Sequence, residues 1–367
     1  MNTGRDGRSG RDLDEDDVRI RPGRGKSRPR SKVRPGHHET SAGFVTTVDR
    51  GRFTVQLPDD DDRVVFAVKA RELGRKGIVV GDHVSLVGDL AGGPDALARI
   101  VRRQPRSSVL RRSTDDDDVD ERVLVANADQ LAVVVALANP APRTRLIDRA
   151  LVAAFDGRLR PLLVLTKSDL AGDEALRATY DTFGVSYVVT RKGGDLTELR
   201  DLLNGHQTVL VGHSGVGKST LVNALVPDAE RSIGRVNAVT GRGRHTSTSA
   251  VALRLPDGGW VIDTPGIRTF GLAHVDLDRF MQAFPDLQPG AEECPRGCTH
   301  DDEHCALDVW VAQGHAAPER LSSFRRLLAS RSVAPDQGDE PDGPDGPDGP
   351  DGPDGADEPS EPDAGSA

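Results

Sequence analysis

The stretch GHSGVGKST, residues 212–220, carries chemistry that its residue types make specific. Gly212, Gly217, Lys218 and Ser219 fit the spacing G-x-x-x-x-G-K-[ST], in which consecutive backbone N–H groups turn inward on phosphate oxygens. The apolar run QTVLVG before it reads as a strand and STLVNALV after it as a helix, whose N-terminus adds a positive end. Lys218 is expected to reach the β- and γ-phosphates, and the Ser219 hydroxyl to ligate Mg²⁺. His213, Ser214, Gly215, Val216 and Thr220 complete the expected nucleotide contacts.

A second apolar run, RPLLVLTKSDL (160–170), ends in Thr166-Lys167-Ser168-Asp169. A carboxylate placed like Asp169 accepts from guanine N1–H and the 2-amino group, a donor pair that adenine lacks. Val188-Val189-Thr190 closes the next run, where a small-residue loop would face the base. At the end of a further strand, Asp263-Thr264-Pro265-Gly266 offers Asp263 to the Mg²⁺ shell and the Gly266 N–H to the γ-phosphate. Together these point to GTP. Many GTPases place a Gln after Asp-x-x-Gly to orient the attacking water; here Ile267 stands there, so slow basal hydrolysis is expected.

Cys294, Cys298 and Cys305 are the only cysteines, and His300 lies among them. Three thiolates and one imidazole complete a closed tetrahedral Zn²⁺ site of structural type, with His304 an alternative fourth ligand. Residues 292–306 hold too few apolar side chains to fold on themselves, so the metal would supply that stability.

The elements that must position these groups follow from the pattern of apolar residues. From Ala42 to Arg112, GFVTTV, RFTVQL, RVVFAV, IVVGDHVSLV and ALARIV are short strand-like runs, which suit a five-stranded OB-fold β-barrel. From there to about residue 272, QLAVVVALA, RPLLVLT, VSYVVT and QTVLVG alternate with helical segments near 145–156, 172–184, 195–204 and 217–226. These runs are apolar without alternation, as in strands of a parallel sheet buried on both faces. SAVALRLPDGGWVIDTPG reads as a hairpin turning at Asp257-Gly258-Gly259. The expected division is a basic arm (1–41), an OB-fold barrel (42–112), an α/β nucleotide domain (113–272), a helical zinc domain (273–333) and a tail (334–367).

The base motif precedes the phosphate loop, the reverse of the usual order. A parallel sheet puts these loops together at the carboxyl ends of its strands, so a circular permutation preserves the site.

The formal net charge of −10 is unevenly spread. Twelve acidic residues follow position 335, in a tail that repeats PDG from Pro341 to Gly355, and the rest of the chain sums to +2. Arg19–Arg34 holds eight Lys and Arg without a carboxylate, an arm suited to nucleic acid. Both ends are expected to lack a fold. Leu131–Ala138, at eight residues, is among the longest apolar runs, far below the about 18 residues of a bilayer span. The polar N-terminus carries no secretory signal, so a soluble cytoplasmic protein without membrane contact is expected.

In their order, the barrel region, VLVANADQLAVVV, LTKSDL, GHSGVGKST, GRGRHTSTSA, DTPGI and CPRGCTHDDEHC make the chain resemble the circularly permuted, ribosome small subunit-dependent GTPases of the RsgA (YjeQ) type, from about Gly43 to Arg331. Thr166 departs from the Asn common in the guanine motif. The Cys/His spacing is one residue shorter than the family's in two places. The resemblance implies an OB-fold, a permuted P-loop GTPase domain and a zinc domain. It also implies a monomer that binds 16S rRNA on the 30S subunit late in maturation and leaves after hydrolysis. His245 in GRGRHTST is, by the same resemblance, a candidate for placing the attacking water, against a plain contact with RNA phosphate or solvent. Thr246 or Thr248 would complete the Mg²⁺ shell. The competing readings are a GTP-regulated RNA-binding module with incidental turnover, and a permuted GTPase of the large subunit.

Overall fold

Burial alternates along the third strand, as expected when one face lines a closed barrel. In β3 (Val64–Lys69), Val65 and Ala67 are buried while Val64, Phe66 and Val68 are partly exposed. The computed structural model describes residues 39–330, apart from 59–62, 75–76, 93–95, 114–120, 228, 230–249, 265–269, 271–274 and 303. The basic arm up to residue 38, the acidic tail, the GRGRHTST stretch with His245, and Gly266 and Ile267 lie outside the described residues.

Strands β1 (Ser41–Asp49), β2 (Arg52–Gln56), β3, β5 (Leu97–Arg103) and β4 (His83–Gly88) pair in that spatial order, and β4 pairs back onto β1. That closes the barrel around Val45, Val55, Val65, Ala67, Val84, Leu86 and Ile100. Five strands closed in this way form the expected OB-fold barrel. A hairpin of β6 (Val109–Ser113) and β7 (Glu121–Ala126) follows as a separate two-stranded sheet, which the sequence reading did not separate out.

The α/β part orders its strands β10 (Ser186–Val189), β9 (Arg160–Thr166), β8 (Gln130–Ala136), β11 (Gln207–Val211), β13 (Trp260–Asp263) and β12 (Val251–Arg254). All are parallel neighbours except β12, which runs antiparallel to β13. All seven residues of β8 are buried, the signature of a strand covered on both faces. One face is covered by α1 (Thr144–Asp156) and the later helices, the other by α3 (Thr197–Leu203) and α4 (Lys218–Leu225). Helix α2 (Glu174–Tyr180) leads from β9 towards β10.

The barrel and the α/β sheet are one eleven-stranded sheet, because β12 pairs with β1. A second joint is a backbone bridge between Val80 and Val125, with Asn127 Nδ2 donating to the Gly81 carbonyl at 2.9 Å. Beside it, Arg106 grips the buried Asp82 carboxylate through Nε and Nη2 at 2.8 and 2.9 Å. The remaining α-helices among the described residues are α5 (Leu277–Met281), α6 (Gln288–Glu292), α7 (Ala306–Ala312) and α8 (Pro318–Ser330). Phe280, Phe284 and Phe324 are fully buried there and join the core under α1. Arg326 of α8 donates to Asp148 of α1 at 3.2 Å, and Tyr180 donates to the same carboxylate oxygen at 3.0 Å. Burial pushes the Asp148 carboxyl up, against the pull of Arg326 and the Tyr180 hydrogen bond. No helix among the described residues is long and apolar enough to cross a membrane.

Candidate nucleotide site and metal cluster

Three loops leave the carboxyl ends of the parallel strands β9, β11 and β13, with β8 between the first two, and each carries one of the sequence-predicted motifs. At the end of β11 the chain must bend sharply to enter α4. A side chain at Gly212 would put its Cβ 2.6 Å from the Val134 carbonyl oxygen, and Gly217, the residue before α4, has φ of 93°. Both positions therefore require glycine. Val216 is buried and pins the loop, whereas Ser214, Gly215, Ser219 and Thr220 are exposed and His213, Gly217 and Lys218 are partly exposed. The N–H groups of the first turn of α4 have no helical acceptors and stay available to an anion.

Lys218 Nζ donates to the Asp263 carboxylate at the end of β13 and to the Thr264 carbonyl at 3.4 Å. The phosphate-loop lysine and the predicted Mg²⁺-shell aspartate are thus direct partners. Thr264, fully buried, donates its hydroxyl to the Leu210 carbonyl at 2.7 Å and ties the start of DTPG to β11.

The guanine motif is fastened to the phosphate loop. Thr166 is buried, and its hydroxyl lies 2.6 Å from the Val216 carbonyl, to which it donates across fifty residues of sequence. Lys167, at φ of 59°, donates to the Asn139 carbonyl in the loop after β8. The Ser168 N–H donates to the Thr190 carbonyl at 3.2 Å, and the Thr190 N–H to Leu165 at 2.7 Å, so the loop after β10 stands beside the motif. Asp169 is exposed at the rim. The sequence reading anticipated Thr190 but missed Asn139, for which the Asn-Pro turn signal after β8 was the one available cue.

The second constellation lies between α6 and α7. One ligand atom each from Cys294, Cys298, His300 and Cys305 falls within 4.8 Å of every other. Cys294 Sγ is 3.8 Å from Cys305 Sγ and 3.5 Å from His300 Nδ1. With metal–ligand bonds of about 2.3 Å to sulfur and about 2.0 Å to nitrogen, a tetrahedral ion sets those edges at about 3.8 and about 3.5 Å. The donor set fits a metal. His304 is not among the four converging residues. Burial pushes the Cys298 and Cys305 thiols up and the His300 imidazole down, so the neutral imidazole that a metal takes is favoured. His300 sits at φ of 65°, and Arg325 of α8 donates to its carbonyl at 2.8 Å while holding Asp308 through both terminal nitrogens. Sequence spacing gave no cue to Arg325.

The RsgA GTPase family matches residues 103–273 of the chain. The small ribosomal subunit biogenesis GTPase RsgA of Pseudomonas putida is 40% identical over 263 residues, covering 69% of this chain and 75% of that protein. The protein of the same name from Azotobacter vinelandii is 40% identical over 264 residues, with the same coverage. Among solved structures, YjeQ from Thermotoga maritima matches 80% of this chain and 99% of its own, at a TM-score of 0.56 and 25% identity. YloQ, described as a circularly permuted GTPase, matches 82% and 98% at a TM-score of 0.57 and 23% identity, a likeness of fold.

Proposed function

The chain belongs to the RsgA GTPase family and is a GTP hydrolase of ribosome biogenesis, and from that premise we propose that the small (30S) ribosomal subunit is its partner and stimulates its turnover. The observation that supports the nucleotide part is the Thr166–Val216 hydrogen bond, which ties the TKSD segment to the GHSGVGKST loop despite their reversed order.

In this reading Asp169 takes the guanine edge, and Thr166, Lys167 and Ser168 hold the loop that presents it. Backbone N–H groups from Gly212 to Thr220 receive the phosphates. Binding exchanges the Lys218–Asp263 pair: the ammonium turns to the β- and γ-phosphates, and the carboxylate joins Ser219 around Mg²⁺, which would offset charge on the phosphate oxygens. The Gly266 N–H would meet the γ-phosphate. His245 is assigned to placing the attacking water once the switch segment docks on rRNA. Cys294, Cys298, His300 and Cys305 hold one structural Zn²⁺. The barrel and the Cys/His region face rRNA, and hydrolysis releases the protein late in subunit maturation, in the cytoplasm. The domain limits at 42, 113, 273 and 334 belong to the same proposal, as does a monomeric state.

GTP turnover measured with and without 30S subunits tests the reading, alongside nucleotide-dependent cosedimentation with separated subunits. Stimulation by the small subunit is expected; binding to the large subunit alone, or turnover unchanged by either, would overturn it. His245→Ala should leave GTP affinity nearly intact and lower the stimulated rate; an unchanged stimulated rate would remove His245 from the mechanism.

A further inference from the structure

Strands β12 and β13 form one hairpin, paired from Val251–Asp263 to Arg254–Trp260. In sequence it runs from the end of GRGRHTSTSA to the start of DTPG, and the last residue of β13 is Asp263 itself. Any displacement of the hairpin along the sheet therefore carries Asp263 with it.

The hairpin has a neighbour on each side. On one side β13 lies along β11 with four register pairs, Gln207–Trp260 to Leu210–Asp263. On the other, among the described residues, β12 meets barrel strand β1 at the pair Thr47–Val251. Three residues along β1 from that pair, at the Arg254–Trp260 end of the hairpin, the Phe44 ring packs on Trp260, centroids 4.7 Å apart and planes tilted by 40°. Phe44 is buried and is backed by His83 of β4 at 5.4 Å. The barrel is also fastened elsewhere, through Val80–Val125, Asn127 and the Arg106–Asp82 pair. The hairpin rests against the barrel through the Thr47–Val251 pairing and the contact of the two rings. Aromatic pairs of this kind are orientation-sensitive and contribute beyond the area they bury.

We propose that Phe44 is a positioning residue for the nucleotide site: through Trp260 it sets where the β12–β13 hairpin stands, and so where Asp263 stands, which lets the barrel tune discrimination between GTP and GDP. This rests on the reading of Asp263 as a residue of the magnesium shell. Coupling of this kind is reciprocal: if the barrel biases the nucleotide, the nucleotide alters the surroundings of Trp260.

The chain contains two tryptophans, Trp260 and Trp310, so full-length Trp310→Phe reports on Trp260 alone. Its emission and affinity are measured with Mg²⁺–GDP and with Mg²⁺ and a non-hydrolysable GTP analogue. The expected result is an emission that differs between the two nucleotides. Phe44→Leu, which keeps apolar bulk in the barrel, should abolish that difference and change the analogue-to-GDP affinity ratio by about five-fold or more, within the usual range of site coupling. Phe44→Tyr should restore both. If Phe44→Leu does not fold, Trp260→Leu in the unmodified chain should change the same ratio. Emission indifferent to the nucleotide in Trp310→Phe, or an unchanged ratio in the folded leucine variant, would overturn the proposal. A parent that binds neither nucleotide would instead remove the premise, a result visible in the same titration before any variant is compared.

Discussion

Thr166 and Val216 stand fifty residues apart in sequence and are joined by a hydrogen bond from the end of β9 to the loop that follows β11, both strands being largely buried. In the Cys/His region, four side chains converge within twelve residues, and the turns between them are closed by single hydrogen bonds such as Cys298 N–H to the Pro295 carbonyl at 3.1 Å. The first site is built by the fold and would stand ready before any ligand arrives. The second has Cys305 and Phe324 at its floor but an exposed rim, so its ligand must supply much of its order. Damage at the first should therefore appear in chemistry and leave the fold intact. Damage at the second should appear in the fold first.

The largest effect is expected from the cluster. Cys294→Ser, or zinc removal by a chelator, should lower the melting temperature by several degrees and reduce bound zinc from one per chain to none, since structural zinc contributes about 10 kcal/mol or more in small sites. GTP affinity should stay within about three-fold, because none of the proposed nucleotide contacts originates there. Zinc analysis and calorimetry on one sample would check both; an equal loss of GTP affinity would erase the contrast between the two regions.

Lys218→Ala is the converse. Removing one preorganised charge from a phosphoryl-transfer site costs about 10²–10³ in rate, so turnover should fall by that factor while melting moves little. Loss of the Asp263 partner does not threaten the fold, since both side chains retain contact with solvent. A large drop in melting temperature would show that the Lys218–Asp263 pair is structural.

Asp169→Asn sharpens the comparison within the first site. Hydrogen bonds to a charged acceptor contribute about 1.5–3 kcal/mol, so GTP should weaken by about 10- to 100-fold and xanthosine triphosphate should gain. Asp169 lies at the exposed rim, and its replacement should leave the Thr166–Val216 tie untouched. Competition binding with the two nucleotides measures the swap directly.

How much of this the residues announced depends on whether a feature is local. The phosphate loop, TKSD and the Cys/His cluster were legible because strand, turn and helix follow one another in sequence and only certain residue types serve the chemistry. RPLLVLT was read as 160–166 and β9 spans those residues. Features formed between distant segments were not legible. The pairing of β1 with β12, which merges barrel and α/β sheet, leaves no periodic trace in either strand. The Asp-rich link 114–120 obscured the β6–β7 hairpin, because a strand pair across a polar stretch reads like two unrelated runs. The same holds for Arg325, whose bond to the His300 carbonyl depends on how α8 packs.

The smallest effect is expected where the two regions are bolted together, at Asp148 between α1 and α8. Its carboxyl is pushed up by burial, more than Arg326 and Tyr180 pull it down. For an acid with a raised folded-state value, folding favours the protonated form. That contribution is complete below the ordinary aspartate value and is lost as pH rises through the folded-state value. Asp148→Asn keeps an oxygen to accept from Tyr180 and removes the buried charge, at the cost of the Arg326 ion pair. Only one partner is removed, but the Arg326 side chain is 39% exposed and keeps its charge in contact with water, so a difference within about 1 kcal/mol at neutral pH is expected. The variant should also lose the part of the decline in stability that wild type shows on raising pH just above the aspartate range. Thermal melts from pH 4 to 8 would check this. A loss of several kcal/mol at neutral pH would mean that the ion pair holds α8 against the nucleotide domain. Cluster and nucleotide site would then be coupled more tightly than the first two substitutions assume.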